Sequence, residues 1–128
     1  MTPARMALRI DALFELALAT LVVVAAATGV DVGEAFALNE WLVIVIGIAL
    51  VPVGVGLWLA KPDRPTLLTI GVANAVGAVA FAVYLALRGG EMNGYGLAVV
   101  TAAVVGLVAL AVAELSLARD AGRHAFVS

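Results

Sequence analysis

The 128-residue chain contains no cysteine and a single histidine. Without cysteine it has no disulfide, no thiol nucleophile and no cysteine ligand for an iron–sulfur cluster, which also excludes quinone-linked thiol chemistry. The histidine, His124, lies near the C-terminus beyond the last long apolar run, so haem held by a histidine pair is excluded too. Carboxylates without histidines are a poor metal set for a helix bundle. We therefore expect no cofactor and no metal site.

Charged residues are scarce, at 12% of the chain, whereas hydrophobic residues make up 65%. This balance is far from that of a soluble domain. The formal net charge is −2 and no basic patch is present, so a nucleic-acid partner is not expected. The sequence contains no glycine-rich phosphate loop and no serine–histidine arrangement. We predict no catalytic residues, and an enzyme is the least favoured class of function.

Four apolar runs predict an all-α integral membrane protein that forms a single domain over residues 1–128, with the lipid bilayer as its first partner. The expected helices cover about residues 3–28, 41–60, 66–88 and 94–118, packed as an antiparallel bundle. Each is long enough to cross a hydrocarbon core of roughly 30 Å at about 1.5 Å per residue. The loop of residues 61–65 is short and contains two prolines, so the second and third helices should form a tight hairpin.

The basic residues predict the orientation in the membrane, because cytoplasmic loops carry an excess of Lys and Arg. Arg88 is the one basic residue expected on the outer side, which instead carries four acidic residues: Asp31, Glu34, Glu40 and Glu91. The remaining basic residues fall on the other side: Arg5, Arg9, Lys61, Arg64, Arg119 and Arg123. We therefore expect both termini in the cytoplasm, with the protein in the plasma (inner) membrane.

Several residues predict where helices begin, end or bend. Thr2 and Asn93 are expected to cap the first and fourth helices, and Gly29 to end the first. Asp31 and Glu34 have the spacing of a capping box, which predicts a short helix at the outer interface. Pro52 lies in the middle of the second helix, where it removes one backbone hydrogen bond and predicts a kink.

Four polar residues fall inside the predicted spans: Asp11, Glu15, Asn74 and Glu114. Asp11 and Glu15 are four residues apart, so they share a helix face and repel each other when both are ionised. Either one is protonated, or a cation or a partner helix lies between them. All four lie in the expected cytoplasmic half, which predicts one polar, cytoplasm-facing pocket.

Within that pocket Glu15 and Asn74 are expected at the floor, with Asp11 and Glu114 nearer the mouth. The alternative for Asp11 and Glu15 is a structural one, either a polar clasp between helices or residues that are simply tolerated at the interface. A pair between Arg9 and Glu114 across the bundle would make the carboxylate of Glu114 structural as well.

Small residues recur along one face of the third helix, at Gly71, Ala75, Ala78 and Ala82, and of the fourth, at Ala98, Ala102, Gly106, Ala109 and Ala113. Small residues at this spacing let membrane helices approach closely. They predict close helix packing and favour a homo-oligomer or a partner membrane protein.

In its size, its helix count and the glutamate of its first helix, Glu15, the chain resembles the small multidrug-resistance transporters. Its outer loop is longer than theirs and its third and fourth helices carry none of that family's motifs, so only Glu15 is carried over.

The sequence leaves two hypotheses for the function of the protein. The first is a non-catalytic membrane protein, acting as an accessory or assembly subunit or binding a small ligand. The alternative is a proton- or cation-coupled transporter that works as a dimer through Glu15.

Overall fold

The computed structural model describes residues 1–127, with side chains described as far as Arg123. Within this range the chain is mostly helical and has no β-strand. The helices are α1 (Pro3–Ala27), α2 (Val32–Phe36), α3 (Glu40–Leu59), α4 (Arg64–Arg88) and α5 (Gly94–Val127), with a short 3-10 turn at Gly89–Glu91. Four of them, all but α2, are long and apolar enough to cross a membrane.

α5 is longer than the sequence predicted, since it continues to Val127 instead of ending near residue 118. The residues that follow Ala118 mix polar and apolar side chains, and they include no proline and only one glycine. Nothing in them breaks a helix, because Arg, Asp and Ala all tolerate helical backbone. The side chain of His124 lies outside the described part of the chain.

The helix starts follow the capping signals. Thr2 Oγ1 accepts a hydrogen bond from Arg5 N at 3.1 Å, and Asn93 Oδ1 accepts one from Gly96 N at 3.0 Å. Asp63 Oδ1 accepts one from Thr66 N at 3.0 Å and thereby caps α4. Each side chain satisfies a backbone N–H that has no partner within its helix. Gly29 adopts a φ of 96° just after α1, as expected for its C-terminal end.

The long helices associate as two pairs, α1 with α3 and α4 with α5, joined by a smaller contact between α1 and α5. α3 and α4 contact each other little, although they are neighbours in the sequence. The expected tight hairpin is therefore not formed. Ala60 and Asp63 have extended backbone and let the chain cross from one helix pair to the other. Arg5 Nη1 donates a 3.3 Å hydrogen bond to Ala60 O within this connection.

Glycines set the close approach within each pair. A Cβ atom placed on Gly54 of α3 would lie 2.7 Å from Leu16 Cγ of α1. One placed on Gly71 of α4 would lie 2.8 Å from Leu115 Cγ of α5. Gly71 and Ala78 of the predicted stripe on α4 are buried, as expected, while Ala82 is exposed.

Most of the predicted stripe on α5 faces outward, although Gly106 packs on the ring of Phe14 of α1. Ala98, Ala102, Ala109 and Ala113 are exposed, and only Gly106 is half-buried. The inward face of α5 carries larger residues, including Val99, Val100, Leu107 and Leu110. α5 is apolar on nearly every side, so the positions of its small residues did not reveal which side packs.

The bundle has two apolar clusters. The larger cluster includes Leu18, Val22, Phe36, Val43 and Val100. The buried residues of the smaller cluster are Leu8, Ala12, Leu57, Leu67 and Ala118. Glu15 of α1, Asn74 of α4 and Glu114 of α5 fall between the buried residues of these clusters in the sequence. Asp11 instead lies within the smaller cluster, between Leu8 and Ala12.

The short helix α2 forms as the capping-box spacing predicted, with Asp31 Oδ1 accepting a 3.0 Å hydrogen bond from Glu34 N. It packs against α3 and α5 and buries Val32, Ala35 and Phe36.

Pro52 lies inside α3 on an exposed side, and the helix continues on both sides of it.

Candidate functional site

Three polar side chains from three helices meet inside the bundle. Asn74 Nδ2 of α4 donates one hydrogen bond to Asp11 Oδ2 of α1 at 2.7 Å and another to Glu114 Oε1 of α5 at 2.5 Å. Asp11 and Glu114 have no exposed surface, and Asn74 is 7% exposed. We call this group the carboxylate–amide cluster. Of the four residues predicted to share a pocket, the structure joins Asp11, Asn74 and Glu114 by hydrogen bonds, and Glu15 is not among them.

The amide of Asn74 has two N–H hydrogens, so each carboxylate receives one of them. The other oxygen of each carboxylate, Asp11 Oδ1 and Glu114 Oε2, is buried and has no hydrogen-bond partner within the described part of the chain. Buried polar atoms nearly always have a partner, because an unpartnered one keeps its full desolvation cost. The cluster is therefore short of hydrogen-bond donors. A proton on either carboxyl group would supply one.

Helix packing places the members of the cluster. Asn74 lies three residues after Gly71 on α4. Leu115 of α5 packs on Gly71, and Glu114 is the residue before it. Close contact between α4 and α5 therefore brings Asn74 to Glu114. Asp11 lies on the buried face of α1 with Leu8, Ala12 and Glu15, so it faces the same interior.

Glu15 lies one turn along the buried face of α1 from Asp11 and is 6% exposed. Its carboxylate makes no hydrogen bond to another described side chain. All four predicted residues are buried: Asp11 and Glu114, expected nearer the mouth of a pocket, have no exposed surface, and Glu15, expected at its floor, keeps a little. Leu8, Leu67 and Ala118 close the bundle beyond the cluster.

Arg9 does not pair with Glu114. Its guanidinium lies 4.5 Å from the ring centroid of Trp58 on α3, and its Nε is buried without a partner. The ring face attracts the cation, so Arg9 joins α1 to α3 instead of neutralising the cluster. Within the described part of the chain, Arg88 and Glu91 form an ion pair on the surface, with 2.5 Å between Arg88 Nε and Glu91 Oε2.

The carboxylates are not arranged as a metal site. Within the described part of the chain, no group of three or more His, Cys, Asp or Glu side chains is close enough to hold a metal ion. Pro52, predicted as a kink near the site, lies on the exposed side of α3 and does not join the cluster.

The comparisons with known proteins give no relative from which a role could be transferred: no protein-family model matches this chain, and no curated protein or solved structure does.

Two tyrosines that the sequence did not single out fix the far end of the bundle. Tyr84 OH lies 2.8 Å from both Phe36 O and Ala37 O, so it holds the C-terminal end of α2. Tyr95 OH donates to Leu21 O and links α5 to α1. Both tyrosines lie within about a turn of a helix end, where a buried ring needs a partner for its hydroxyl. This position near a helix end is the feature of the sequence that could have identified both tyrosines as packing residues.

Proposed function

We propose that the protein is an integral membrane protein with four antiparallel spans in the plasma (inner) membrane and both termini in the cytoplasm. The four long apolar helices support this proposal. So do the large apolar side chains on the outside of the bundle, among them Val76, Val79, Val105 and Val112, each more than half exposed. Such a surface suits lipid and is costly in water. The basic residues support the orientation.

We further propose that it is non-catalytic and binds a small ligand inside the bundle, and that this ligand is a proton held in the carboxylate–amide cluster. The observation that carries the proposal is the pair of unpartnered oxygens, Asp11 Oδ1 and Glu114 Oε2. Two ionised carboxylates hydrogen-bonded to the same amide group repel each other strongly in a low-dielectric interior. One retained proton removes that repulsion and supplies the missing donor. A proton also needs no ligand cage, unlike a metal ion.

Infrared spectroscopy of the purified protein tests this proposal directly. A protonated carboxyl group has a C=O stretch distinct from that of a carboxylate. We expect this carboxylic-acid band at neutral pH in the wild type. We expect its loss in a variant carrying both Asp11→Asn and Glu114→Gln. Glu40→Gln, at an exposed position in the first turn of α3, is the matched control and should leave the band unchanged. A wild-type spectrum with carboxylate bands only would overturn the proposal.

A second candidate is the proton- or cation-coupled transporter that works as a dimer through Glu15. Glu15 favours it because this carboxylate is buried, slightly accessible and outside the hydrogen-bonded cluster. In liposomes with an imposed proton gradient, Glu15→Gln should abolish proton-linked flux and Glu40→Gln should not. Undiminished flux in Glu15→Gln would remove the transporter from consideration.

An accessory or assembly role is supported by the exposed small residues of α5, Ala98, Ala102, Ala109 and Ala113, because such a face allows close contact with another membrane helix. Ala102→Leu should then weaken a self-complex or partner complex isolated in mild detergent. A protein that is monomeric and without a partner under those conditions would count against this role.

A further inference from the structure

An apolar cavity of about 280 Å³ lies in the half of the bundle that contains α2, away from the carboxylate–amide cluster. All five helices contribute to its wall. Leu18 and Val22 come from α1, Leu50 from α3, and Phe81 from α4. The function proposed above makes no use of this cavity.

The wall offers a ligand nothing to hydrogen-bond. Its one polar side chain is Tyr84, and the hydroxyl of Tyr84 is already held at 2.8 Å from Phe36 O and Ala37 O. A cavity of this character stays dry, because water inside it would lack partners. Its occupant must therefore be hydrocarbon where it touches the wall.

The cavity opens sideways between α3 and α4, the two long helices that contact each other little. Ile46 of α3 and Ala80 of α4 line the cavity and are also exposed, so they form its mouth. Phe36 and Leu38 line it at the end where α2 packs across the bundle. In a bilayer such a mouth faces lipid tails, and α2 limits how far a chain can extend within it.

We propose that this cavity binds one hydrocarbon chain of a membrane lipid, which enters through the gap between α3 and α4. The size of the cavity decides between occupants. A helix of a second protein is about 10 Å across and cannot enter. The cavity is nearly twice the size of an engineered cavity of about 150 Å³ that binds benzene, so a segment of an acyl chain has room.

The binding force is dispersion, since lipid tails are as apolar as the cavity wall. An unfilled cavity leaves its lining atoms without contacts on one side, and a lipid chain restores them. The inference needs the membrane placement proposed above, but it is independent of the proton in the cluster.

The experiment uses the full chain in nanodiscs that contain a phospholipid with a diazirine in the middle of one acyl chain. After illumination, labelled residues are identified by peptide mass spectrometry. We expect labelling concentrated on the cavity wall, at Leu50, Phe81 and Val100, above that at Val76 and Val105, which lie outside the cavity and are more exposed than any of the three.

Ala80→Phe places a ring in the mouth, and we expect it to abolish labelling of the wall. Ala82→Phe is the matched control, since Ala82 is exposed on the same helix but does not line the cavity. A second pair repeats the test from the buried side, with Ala103→Leu in the wall and Ala102→Leu on the exposed face of α5. Equal melting temperatures of Ala80→Phe and Ala82→Phe would show that both fold.

Labelling spread evenly over the exposed faces, or wall labelling that survives in Ala80→Phe, would overturn the proposal. So would an unlabelled wall, which is the result expected if a side chain of another protein fills the cavity. Labelling of Val76 and Val105 separates this outcome from failure of the membrane placement, because both positions are exposed outside the cavity and take up label whether or not a chain occupies it.

Discussion

Asn74 connects two carboxylates that would otherwise have no donor. Its two N–H groups reach Asp11 and Glu114, so one small side chain joins α1, α4 and α5. A hydrogen bond of this kind adds little net stability, but its loss leaves buried acceptors unpaired and is costly. Asn74 is therefore the residue whose removal should matter most to the cluster.

We expect Asn74→Ala to lower the free energy of unfolding by about 1–3 kcal/mol, because two buried carboxylates lose their donor. The measurement is reversible unfolding in mixed micelles. Thr69→Ala is the control, since Thr69 is exposed on the same helix and donates only to Pro65 O within it. If both variants unfold like the wild type, Asn74 does not stabilise the cluster.

The sequence predicted which polar residues lie inside the bundle but not how they pair. Asp11 and Glu15 share the buried face of α1, as their spacing required, yet only Asp11 reaches Asn74. The alternative pairing of Arg9 with Glu114 is not formed, and Arg9 instead stacks on Trp58. Residue spacing defines a helix face, whereas pairing depends on how each helix is rotated against its neighbours. In apolar helices that rotation is weakly encoded.

Among the helices, α3 shows most clearly how single glycines set the packing. Gly54 faces α1, and a Cβ there would lie 2.7 Å from Leu16 Cγ and 3.2 Å from Ala12 O. Gly56, two residues on, has no atom of another residue within 4 Å of the same added Cβ. The two positions therefore differ in packing while sharing one helix and one residue type.

Gly54→Ala should destabilise the protein by about 1–3 kcal/mol, because the added methyl group forces α1 and α3 apart. Gly56→Ala should leave stability unchanged or raise it by up to about 1 kcal/mol, since Ala favours helix more than Gly. Unfolding of the two variants under identical conditions gives the comparison. Similar losses in both would mean that α1 and α3 do not approach closely at Gly54.

The cap of α4 gives a pH dependence outside the four proposed membrane spans. Hydrogen bonds from Thr66 hold the pKa of Asp63 below its ordinary value of 3.8. Because the pKa is lowered in the folded state, the cap stabilises the fold above the unfolded pKa and this contribution is lost as pH falls through the folded pKa.

Asp63→Asn should keep the cap and lose its titration, because Asn also accepts the backbone hydrogen bond. We expect the difference in unfolding free energy between wild type and Asp63→Asn to be constant at about pH 5 to 7 and to shift against the wild type as pH falls below about 4. Denaturant titrations at each pH measure it. A difference that stays flat down to about pH 3 would contradict the role of the ionised cap.

At the scale of the whole molecule, the sequence predicted the number of long helices and their approximate bounds, because long apolar runs bounded by capping residues are strong signals. It did not predict the division into an α1–α3 pair and an α4–α5 pair. The short loop between α3 and α4 instead predicted that these two helices pack against each other. A short loop limits the distance between helix ends only. The apolar cavity occupies the space that this division leaves open.

The arrangement in the membrane is testable because the chain has no cysteine, so a single introduced cysteine reports on one position alone. Glu34 on α2 and Asp120 on α5 are exposed and fall at opposite ends of the predicted topology. In intact cells a membrane-impermeant maleimide should label Glu34→Cys and not Asp120→Cys, and permeabilised cells should label both. Neither substitution alters a basic residue, and acidic residues contribute little to orientation, so the variants should insert as the wild type does.

Labelling of Asp120→Cys alone in intact cells would show that the topology is the inverse of the one proposed, with the carboxylate–amide cluster in the outer half. Labelling of both positions in intact cells would contradict four complete spans, since the three crossings by α3, α4 and α5 must leave α2 and the C-terminal part of α5 on opposite sides.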